Sequence, residues 1–320
     1  MTRTTTLMVT AACLVAAGGL LGCSDDGAGD EDNGVAEEGF DSIQSELRGG
    51  WTASTDMALS LRFPVYRRSN NQQYGYAYCT GVALSPHWIL TSAHCLDYIW
   101  NGVEVVANQR GSIYRNNSGS AQKIYDNGAW QARIPASWDA WDQEVGLDFG
   151  LIRLLDGALT TYPMWGRIID EGHHNLWDFM NSGLYVSGFG YGSASETSCS
   201  LSLLPRTGVL ARWYYGISEV GGYQNFGDTI CVGDSGGPWY QHVGSRYLMF
   251  GLTSRGTNVT TDCSDQCIGS GETVRAANIA QRIDWIESAT ANGGLPLDCR
   301  LYAVYNSGNQ KYYYYHLCQE

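Results

Sequence analysis

Short apolar runs separated by turn residues recur along the middle of this chain, and they restrict its fold more than any other feature. Gly, Asn, Asp and Ser separate the clearest runs, which lie at residues 82–84, 88–92, 103–107, 151–155, 184–187 and 247–253. Runs of this length and spacing are typical of strands in a sandwich or barrel. The chain has 40 glycines against 7 prolines, which supports many tight turns. We therefore expect an all-β body.

One segment near the C-terminus has a helical period instead. Ile279, Ile283 and Ile286 recur at i, i+4 and i+7 and form one apolar stripe. This spacing predicts a helix over residues 276–290. Residues 291–320 would then form a separate C-terminal tail.

The N-terminal residues have the composition of an export signal. Arg3 precedes an apolar run at residues 7–21, which is too short to span a bilayer as a permanent helix. The run ends Leu-Leu-Gly-Cys at residues 20–23, which resembles the bacterial lipoprotein box. That resemblance implies removal of residues 1–22, a lipid anchor on Cys23 and attachment to the outer membrane or cell surface. A conventional signal peptide, which would leave Cys23 as a spare thiol, is the alternative.

Residues 23–46 are predicted to be a tether or propeptide. Nine acidic side chains and no Lys or Arg occur in residues 24–46, which is typical of a solvated segment. An acidic binding tail is the alternative. Without this segment and the signal, the net charge of −13 falls to −5 for residues 47–320. A negative chain repels phosphate backbones, so we expect no nucleic-acid partner.

The cysteine count points to disulfides. Eight of the ten cysteines remain once Cys13 is removed with the signal and Cys23 is lipidated, and an even number in an exported chain favours bridges. Cys79 and Cys95 flank a candidate hairpin, while the tail is bracketed by a second pair, Cys299 and Cys318. The remaining four allow three pairings: Cys199, Cys231, Cys263 and Cys267. Zinc at Cys263 and Cys267 is a weak alternative, because the sequence offers no second cysteine or histidine pair to complete a four-ligand site.

Three segments carry residues suited to acyl transfer. TSAHC at residues 91–95 places an imidazole, His94, after an apolar run, where it can act as a general base. GDSGGP at residues 233–238 surrounds Ser235 with glycines, which permit backbone N–H groups to face a developing oxyanion. Asp148 stands before another apolar run, where its carboxylate could hold the second imidazole nitrogen.

Taken in this order, the three segments resemble those of the chymotrypsin-like, or trypsin-family, serine endopeptidases. VSGFG at residues 186–190, GLTSRG at 251–256 and IDWI at 283–286 resemble further segments of that family. The resemblance covers residues 47–290. It implies two antiparallel six-stranded β-barrels, at about residues 47–160 and 176–275, followed by the C-terminal α-helix.

The resemblance also implies the roles of the site residues. His94 would act as general base and then acid, Asp148 would orient it, and Ser235 would be the acylated nucleophile. The backbone N–H groups of Gly233 and Ser235 would form the oxyanion hole, and Ser254 would hydrogen-bond Asp148. Protein or peptide substrates would be hydrolysed through an acyl-enzyme, with no metal and no organic cofactor.

Activation in this family depends on a newly cut α-amino group that pairs with the carboxylate before the nucleophile, here Asp234. LRGG at residues 47–50 resembles the family's IVGG start, although Leu47 and Arg48 depart from it. We expect another protease to cut between Glu46 and Leu47. That cut would also release the domain from its lipid tether as a secreted enzyme.

Specificity rests on the residue six before the nucleophile, which lies at the base of the primary pocket in this family. Here it is Thr229, which cannot pair with Lys or Arg, so a neutral or apolar residue is expected before the scissile bond. A one-residue shift would place Asp228 there and restore a basic preference. Gly256 would leave the pocket wall open, and Arg255 replaces the family's usual Trp.

Two other functions fit parts of the sequence. A non-catalytic binding protein could share the fold, since folds do not determine activity, but such proteins usually lose a triad residue and this chain has all three. An unrelated esterase would need the Gly-x-Ser-x-Gly elbow between a strand and a helix, with a catalytic His after it. The nucleophile string of this chain is not that elbow in its strand-to-helix setting, and no catalytic His follows it at a suitable site.

Overall fold

The computed structural model describes the following residues: 13–15, 51–52, 57–100, 102–107, 110–117, 120–161, 164–174, 184–189, 206–215, 219–224, 233–256, 273–291 and 294–320. Within these ranges the regular secondary structure is almost entirely strand, with one α-helix, α1 (Ile283–Ala291). No helix in the described part is both long and apolar enough to cross a membrane.

Nine of the described strands form the first sheet. They are β1 (Cys13–Val15), β3 (Ala58–Arg67), β4 (Gln73–Ala83), β5 (Trp88–Thr91), β6 (Asp97–Trp100), β7 (Val103–Ala107), β8 (Arg110–Asn117), β9 (Ser120–Arg133) and β10 (Gly150–Leu154). Six of these pair in the order β4-β5-β10-β9-β8-β3, and β3 pairs again with β4. This antiparallel ring is the first barrel.

Alternation along the strands fills the first barrel with apolar side chains. Leu61 and Phe63 on β3 are both buried, and Phe63 contacts the Trp130 ring edge-to-face at a centroid distance of 5.0 Å. Gly111 on β8 leaves room for this indole, because a Cβ atom there would lie 2.2 Å from the Trp130 ring. The glycine therefore serves close packing here rather than a turn.

Ten strands form the second sheet. They are β2 (Trp51–Thr52), β11 (Arg167–Ile169), β12 (Leu184–Gly188), β13 (Arg206–Tyr215), β14 (Glu219–Gln224), β15 (Pro238–Val243), β16 (Arg246–Gly256), β17 (Thr273–Asn278), β18 (Asp298–Asn306) and β19 (Lys311–Gln319). Six of these pair antiparallel in the order β15-β12-β13-β14-β17-β16, and β15 pairs again with β16. The predicted pair of six-stranded antiparallel barrels is confirmed.

A shared apolar cluster joins the two barrels. It contains Trp88 and Leu151 from the first barrel and Met249 and Leu252 from the second, all fully buried. Burial of each such side chain contributes on the order of 2 kcal/mol. A packed apolar core shared by the two barrels therefore supports the residues at the cleft between them.

The helix is shorter than its periodicity predicts. Strand β17 continues to Asn278, because it pairs with β14 on one side and β16 on the other, and α1 begins only at Ile283. The predicted start at residue 276 is therefore wrong. Ile279 and Ile286 are nevertheless both fully buried, so the apolar stripe reflects one core reached by two different backbone conformations.

The N-terminal strands do not follow the predicted segment boundaries. Strand β2, inside the region assigned to the first barrel, pairs with β13 of the second. Strand β1 lies within the predicted signal segment and pairs with residues 76–78 of β4. Two-residue and three-residue pairings such as these leave no periodicity that a sequence pattern could detect.

The C-terminal tail is a hairpin that extends the second sheet. Strand β19 pairs with β11, the strand of the connection between the barrels, and β11 makes one parallel contact with β16. The predicted bridge between Cys299 and Cys318 is present across the hairpin, and both residues belong to the cluster shared by the barrels.

The tail also contacts the first barrel. Trp88 Nε1 donates to Leu295 O at 2.8 Å, and the Glu320 carboxylate accepts from His87 N at 3.0 Å and from the hydroxyl of Ser85. The tail therefore connects the two barrels on the side where β4 turns into β5.

Candidate active site

His94 lies in a buried 3₁₀ turn, Ala93–Cys95, directly after strand β5. The predicted disulfide between Cys79 and Cys95 is present and ties this turn to β4. His94 itself is fully buried. Packing and hydrogen bonds, rather than solvent, therefore determine where the imidazole points.

Asp148 reaches His94 through the register of two strands. It follows a second 3₁₀ turn, Val145–Leu147, two residues before β10 begins. β10 pairs antiparallel with β5, with Gly150 opposite Thr91. The residues just before β10 and just after β5 therefore meet at the same edge of the sheet.

The Asp148 carboxylate accepts hydrogen bonds from two residues. His94 Nδ1 lies 2.6 Å from Oδ2, and the His94 backbone N donates to Oδ1 at 2.8 Å. Ser254 Oγ donates to Oδ2 at 2.5 Å, which is the bond that the resemblance implies. A neutral imidazole that donates from Nδ1 has its lone pair on Nε2, so this arrangement prepares Nε2 to act as a base.

Two opposing effects act on the pKa of the Asp148 carboxyl. Burial raises it, because a charged carboxylate loses its hydration. The charge of His94 and the hydrogen bonds from His94 and Ser254 lower it by more. The pKa of Asp148 therefore lies below its ordinary value, and the side chain is an ionised carboxylate at neutral pH.

The other imidazole nitrogen has no hydrogen-bond partner in the part of the chain that the structure describes. His94 Nε2 is buried and accepts no hydrogen bond from any described residue. Buried polar atoms in proteins are rarely left unpaired, and unpaired ones often belong to catalytic sites. Nε2 is the atom that would accept the proton of a hydroxyl nucleophile in general-base catalysis.

Ser235 lies in the turn before β15, next to this histidine turn. Its carbonyl oxygen is 3.8 Å from Cys95 Sγ, and Thr80 N donates to the same oxygen at 2.8 Å. Ser235 is 5% exposed. The turn is anchored on its other side, because Gly236 N donates to Thr253 O at 2.8 Å.

The glycines around Ser235 are required by the backbone. Gly233 and Gly236 have φ values of +99° and +81°, which side-chain-bearing residues rarely adopt. A Cβ atom on Gly236 would also lie 2.2 Å from Thr80 O. Substitution at Gly236 would therefore displace the nucleophile's turn from the first barrel.

Asp234, between Gly233 and the nucleophile, is 1% exposed. Its carboxylate packs over Gly188 on β12, where a Cβ atom would lie 2.0 Å from Asp234 Oδ1. Burial of a carboxylate is costly unless a positive group or hydrogen bonds compensate it. This position suits a charge that is paired inside the protein.

Several predicted site residues lie outside the described residues: Cys23, Glu46, Leu47, Asp228, Thr229, Cys199, Cys231, Cys263 and Cys267. Two residues of the predicted specificity pocket are described. Arg255 and Gly256 lie at the end of β16, directly after Ser254, and both are half-buried. Their pairing partners are Arg275 and Val274 on β17.

Sequence reasoning missed the hydroxyl groups that connect the barrels beside the site. Ser92 Oγ donates to Thr253 O at 2.7 Å, and Thr80 Oγ1 donates to Gly233 O at 2.8 Å. A weak signal was available, because each is a polar residue within or directly after an apolar strand run and close to a residue of a recognised segment. A sequence does not show which carbonyl such a hydroxyl would meet.

No group of three or more His, Cys, Asp and Glu side chains in the described part of the chain is arranged to hold a metal ion. His173 and His174, in the connection between the barrels, have other contacts. His174 Nε2 accepts from Tyr314 N at 2.7 Å, and the His173 ring stacks on Tyr314 at 4.7 Å. Both histidines therefore hold the tail hairpin against this connection.

Two barrels with a buried imidazole–carboxylate pair and a serine turn between them define a serine protease of the chymotrypsin-like class. The family model described as Trypsin matches residues 58–270. The chain therefore belongs to the trypsin family, and it is a serine endopeptidase.

Individual relatives are distant. The chymotrypsin-like elastase family member 1 of Homo sapiens is 27% identical over 205 residues, which cover 58% of this chain and 74% of the relative. The protein of the same name from Bos taurus is 24% identical over 275 residues, covering 81% and 95%. Among solved structures, neuropsin, a serine protease expressed in the limbic system of mouse brain, matches with a TM-score of 0.47 and 17% identity over 77% of this chain and 98% of neuropsin.

The lowered pKa of Asp148 predicts a pH-dependent contribution to stability. A carboxyl whose folded pKa is depressed stabilises the protein above its unfolded pKa, close to 3.8, and loses that contribution as the pH falls through the folded pKa. We expect the difference in unfolding free energy between wild type and Asp148→Asn, measured by urea titration, to shrink as the pH falls from 5 to below 3.8.

Asp142→Asn is the matched control, because Asp142 is an exposed carboxyl in the same loop. The difference in unfolding free energy between Asp142→Asn and wild type should stay small over the same pH range. A difference for Asp148→Asn that does not change with pH would contradict the prediction.

Proposed function

We propose that His94, Asp148 and Ser235 carry out the peptide hydrolysis of this serine endopeptidase. One observation carries the proposal: Asp148 binds both the ring Nδ1 and the backbone N of His94, while Nε2 is buried and has no hydrogen-bond partner among the described residues. This arrangement supports a base that is held in one orientation and one tautomer.

The reaction follows from these positions. His94 Nε2 takes the Ser235 hydroxyl proton as Oγ attacks the scissile carbonyl carbon, and the imidazolium is stabilised by Asp148. His94 then gives the proton to the leaving amine, and the carbonyl re-forms as an ester on Ser235. A water molecule repeats the two proton transfers with His94, so the acid is released and Ser235 regains its hydroxyl.

The backbone N–H groups of Gly233 and Ser235 are proposed to bind the oxyanion. The Ser235 N–H belongs to the same planar peptide as Asp234 O, and Gly237 N donates to that oxygen at 2.8 Å. The carbonyl is therefore held on the side opposite the N–H group. Such pre-positioned donors lower the barrier because they need not reorganise as charge develops.

A fluorophosphonate probe tests this assignment. Labelling requires a serine hydroxyl activated by its base, so wild type should be labelled stoichiometrically at Ser235, and Ser235→Ala not at all. Labelled peptides identified by mass spectrometry give the position. Ser85→Ala is the control, since Ser85 is a buried hydroxyl far from His94 in the β4–β5 turn. Absence of labelling in mature wild type would instead favour a non-catalytic binding protein on this fold.

For specificity, we propose cleavage after neutral or apolar residues. Thr229 at the expected base of the primary pocket offers no charge for Lys or Arg, whereas an aspartate there selects basic residues in trypsin. The relatives carry elastase in their names, and elastase has a small primary pocket of this uncharged kind. Cleavage after Lys or Arg, through Asp228, is the alternative.

A peptide library with every residue before the scissile bond decides between these pockets. Wild type should cleave mainly after small or apolar residues, and Thr229→Asp should gain at least tenfold in kcat/KM toward Lys and Arg, because a buried carboxylate pairs with their charge. Strict cleavage after Lys or Arg by wild type, abolished in Asp228→Asn, would assign the pocket to Asp228 instead.

We also propose that the enzyme is exported as a lipid-tethered zymogen. Residues 20–23 support lipidation of Cys23 and an outer-membrane or surface location, and the buried Asp234 supports activation by a new α-amino group at Leu47. Lipid processing would remove strand β1, together with its three residue pairings to β4. An activating protease is a required partner in this scheme.

Edman sequencing of active, fluorophosphonate-reactive protein tests the activation step. The expected terminus is Leu47, and acetylation of that α-amino group should remove activity because it abolishes the charge that pairs with Asp234. An active form that begins at Cys23 would overturn the zymogen proposal without affecting the assignment of Ser235.

A further inference from the structure

Thr80, a residue of the first barrel, donates two hydrogen bonds to the nucleophile's turn. It is fully buried on β4, next to the Cys79–Cys95 disulfide. Its backbone N donates to Ser235 O at 2.8 Å, and its Oγ1 donates to Gly233 O at 2.8 Å. One residue therefore holds the carbonyl groups on both sides of Asp234.

The Thr80 hydroxyl has a second role across the cleft. Oγ1 also accepts from Phe189 N at 3.0 Å, in the segment that follows β12. A hydroxyl can donate and accept through the same atom, whereas a valine of the same shape can do neither. Removal of this hydroxyl would leave a buried carbonyl and a buried N–H group without their partner.

Thr80 is itself held in place from its own barrel. Thr91 Oγ1 donates to Thr80 O at 2.7 Å, and Thr91 is the first residue of the segment that carries His94. Both threonines are fully buried. The segment that carries His94 and the turn that carries Ser235 are therefore connected through Thr80.

The three successive carbonyls of the nucleophile's turn all have hydrogen-bond donors. Gly233 O and Ser235 O accept from Thr80, and Asp234 O accepts from Gly237 N. Because a peptide unit is planar, these bonds also fix the N–H groups of Asp234, Ser235 and Gly236, each on the far side of the preceding carbonyl. Gly233 needs this constraint most, since it lacks a side chain and has a φ of +99°.

We propose that Thr80 is a positioning residue for the oxyanion hole, and this proposal rests on the assignment of Gly233 and Ser235 N–H as oxyanion donors. The hydroxyl acts through Gly233 O: it holds the peptide between Gly233 and Asp234. This peptide lies between the two peptides that carry the Gly233 and Ser235 N–H groups, so holding it limits how far these groups can turn away from one point. It does not touch the substrate. Its loss should weaken binding of the transition state and leave binding of the substrate nearly unchanged.

Steady-state kinetics of Thr80→Val, Thr80→Ser and Thr290→Val test this. Thr80→Val should lower kcat about tenfold, less than the 10²–10³-fold loss on removing an oxyanion donor outright. KM should change less than twofold, and Thr80→Ser, which keeps the hydroxyl, should remain within threefold of wild type. Thr290→Val is the matched control: Thr290 is fully buried and accepts from Leu297 N, but it lies on α1 away from the turn.

Inhibitor affinity gives a readout that a general loss of stability would not move. A peptide aldehyde forms a tetrahedral adduct with Ser235 whose oxyanion occupies the hole, while the corresponding peptide acid binds as a product. Thr80→Val should weaken the aldehyde about tenfold and the acid less than twofold. Thermal melting followed by circular dichroism checks that each variant is folded. If Thr80→Val does not fold, Thr80→Ala replaces it, and its kcat should fall at least threefold.

Several outcomes would overturn the proposal. These are an unchanged kcat in Thr80→Val, a loss in Thr80→Ser as large as in Thr80→Val, an equal loss in Thr290→Val, or equal weakening of aldehyde and acid. Failure of the underlying assignment is distinguishable: if Ser235 is not the nucleophile beside this oxyanion hole, Ser235→Ala keeps both activity and fluorophosphonate labelling, whatever Thr80→Val does.

Discussion

The candidate active site is assembled by buried hydrogen bonds that cross between two separately closed barrels. Each six-stranded ring satisfies its own backbone, so neither ring by itself dictates where the other lies. Hydrogen bonds at the cleft connect the two rings. Ser254 donates to Asp148, and Ser92 donates to Thr253 O. Thr80 donates to Gly233 O and Ser235 O. Because these groups are buried, breaking any one leaves a polar atom without a partner at a cost of about 1–3 kcal/mol.

The same burial gives the candidate site its electrostatic character. The carboxylate of Asp148 and the imidazole of His94 are almost completely shielded from solvent, so their attraction is not weakened by water. Ser254 completes the shell of Asp148 from the second barrel. A carboxylate so satisfied remains charged and can stabilise an imidazolium, which is the property that the proposed mechanism uses.

The tail hairpin adds a second connection on another part of the surface. It extends the second sheet through β11, contributes Cys299 and Cys318 to the cluster shared by the barrels, and meets the first barrel through Trp88 and Glu320. Three kinds of contact, strand pairing, apolar packing and side-chain bonding, thus oppose relative motion of the barrels. Four large hydrophobic side chains on the described hairpin are exposed, and Tyr312, at 60%, is the most accessible of them.

The sequence by itself determined the strand-rich fold, the order His94, Asp148, Ser235 and the two bridges of the described part, because alternation, rare glycine-rich strings and cysteine spacing are local properties. It misplaced the helix start: Ile279 has a helical period but directly follows β17, which is held as a strand by its pairing with β14 and β16. Only the tertiary structure decided which carbonyls Thr80 and Ser92 bind and how the tail joins the barrels. Thr80 and Gly233 are 153 residues apart, and Ser92 and Thr253 are 161 residues apart. A hydroxyl's partner depends on what the fold brings within 3 Å.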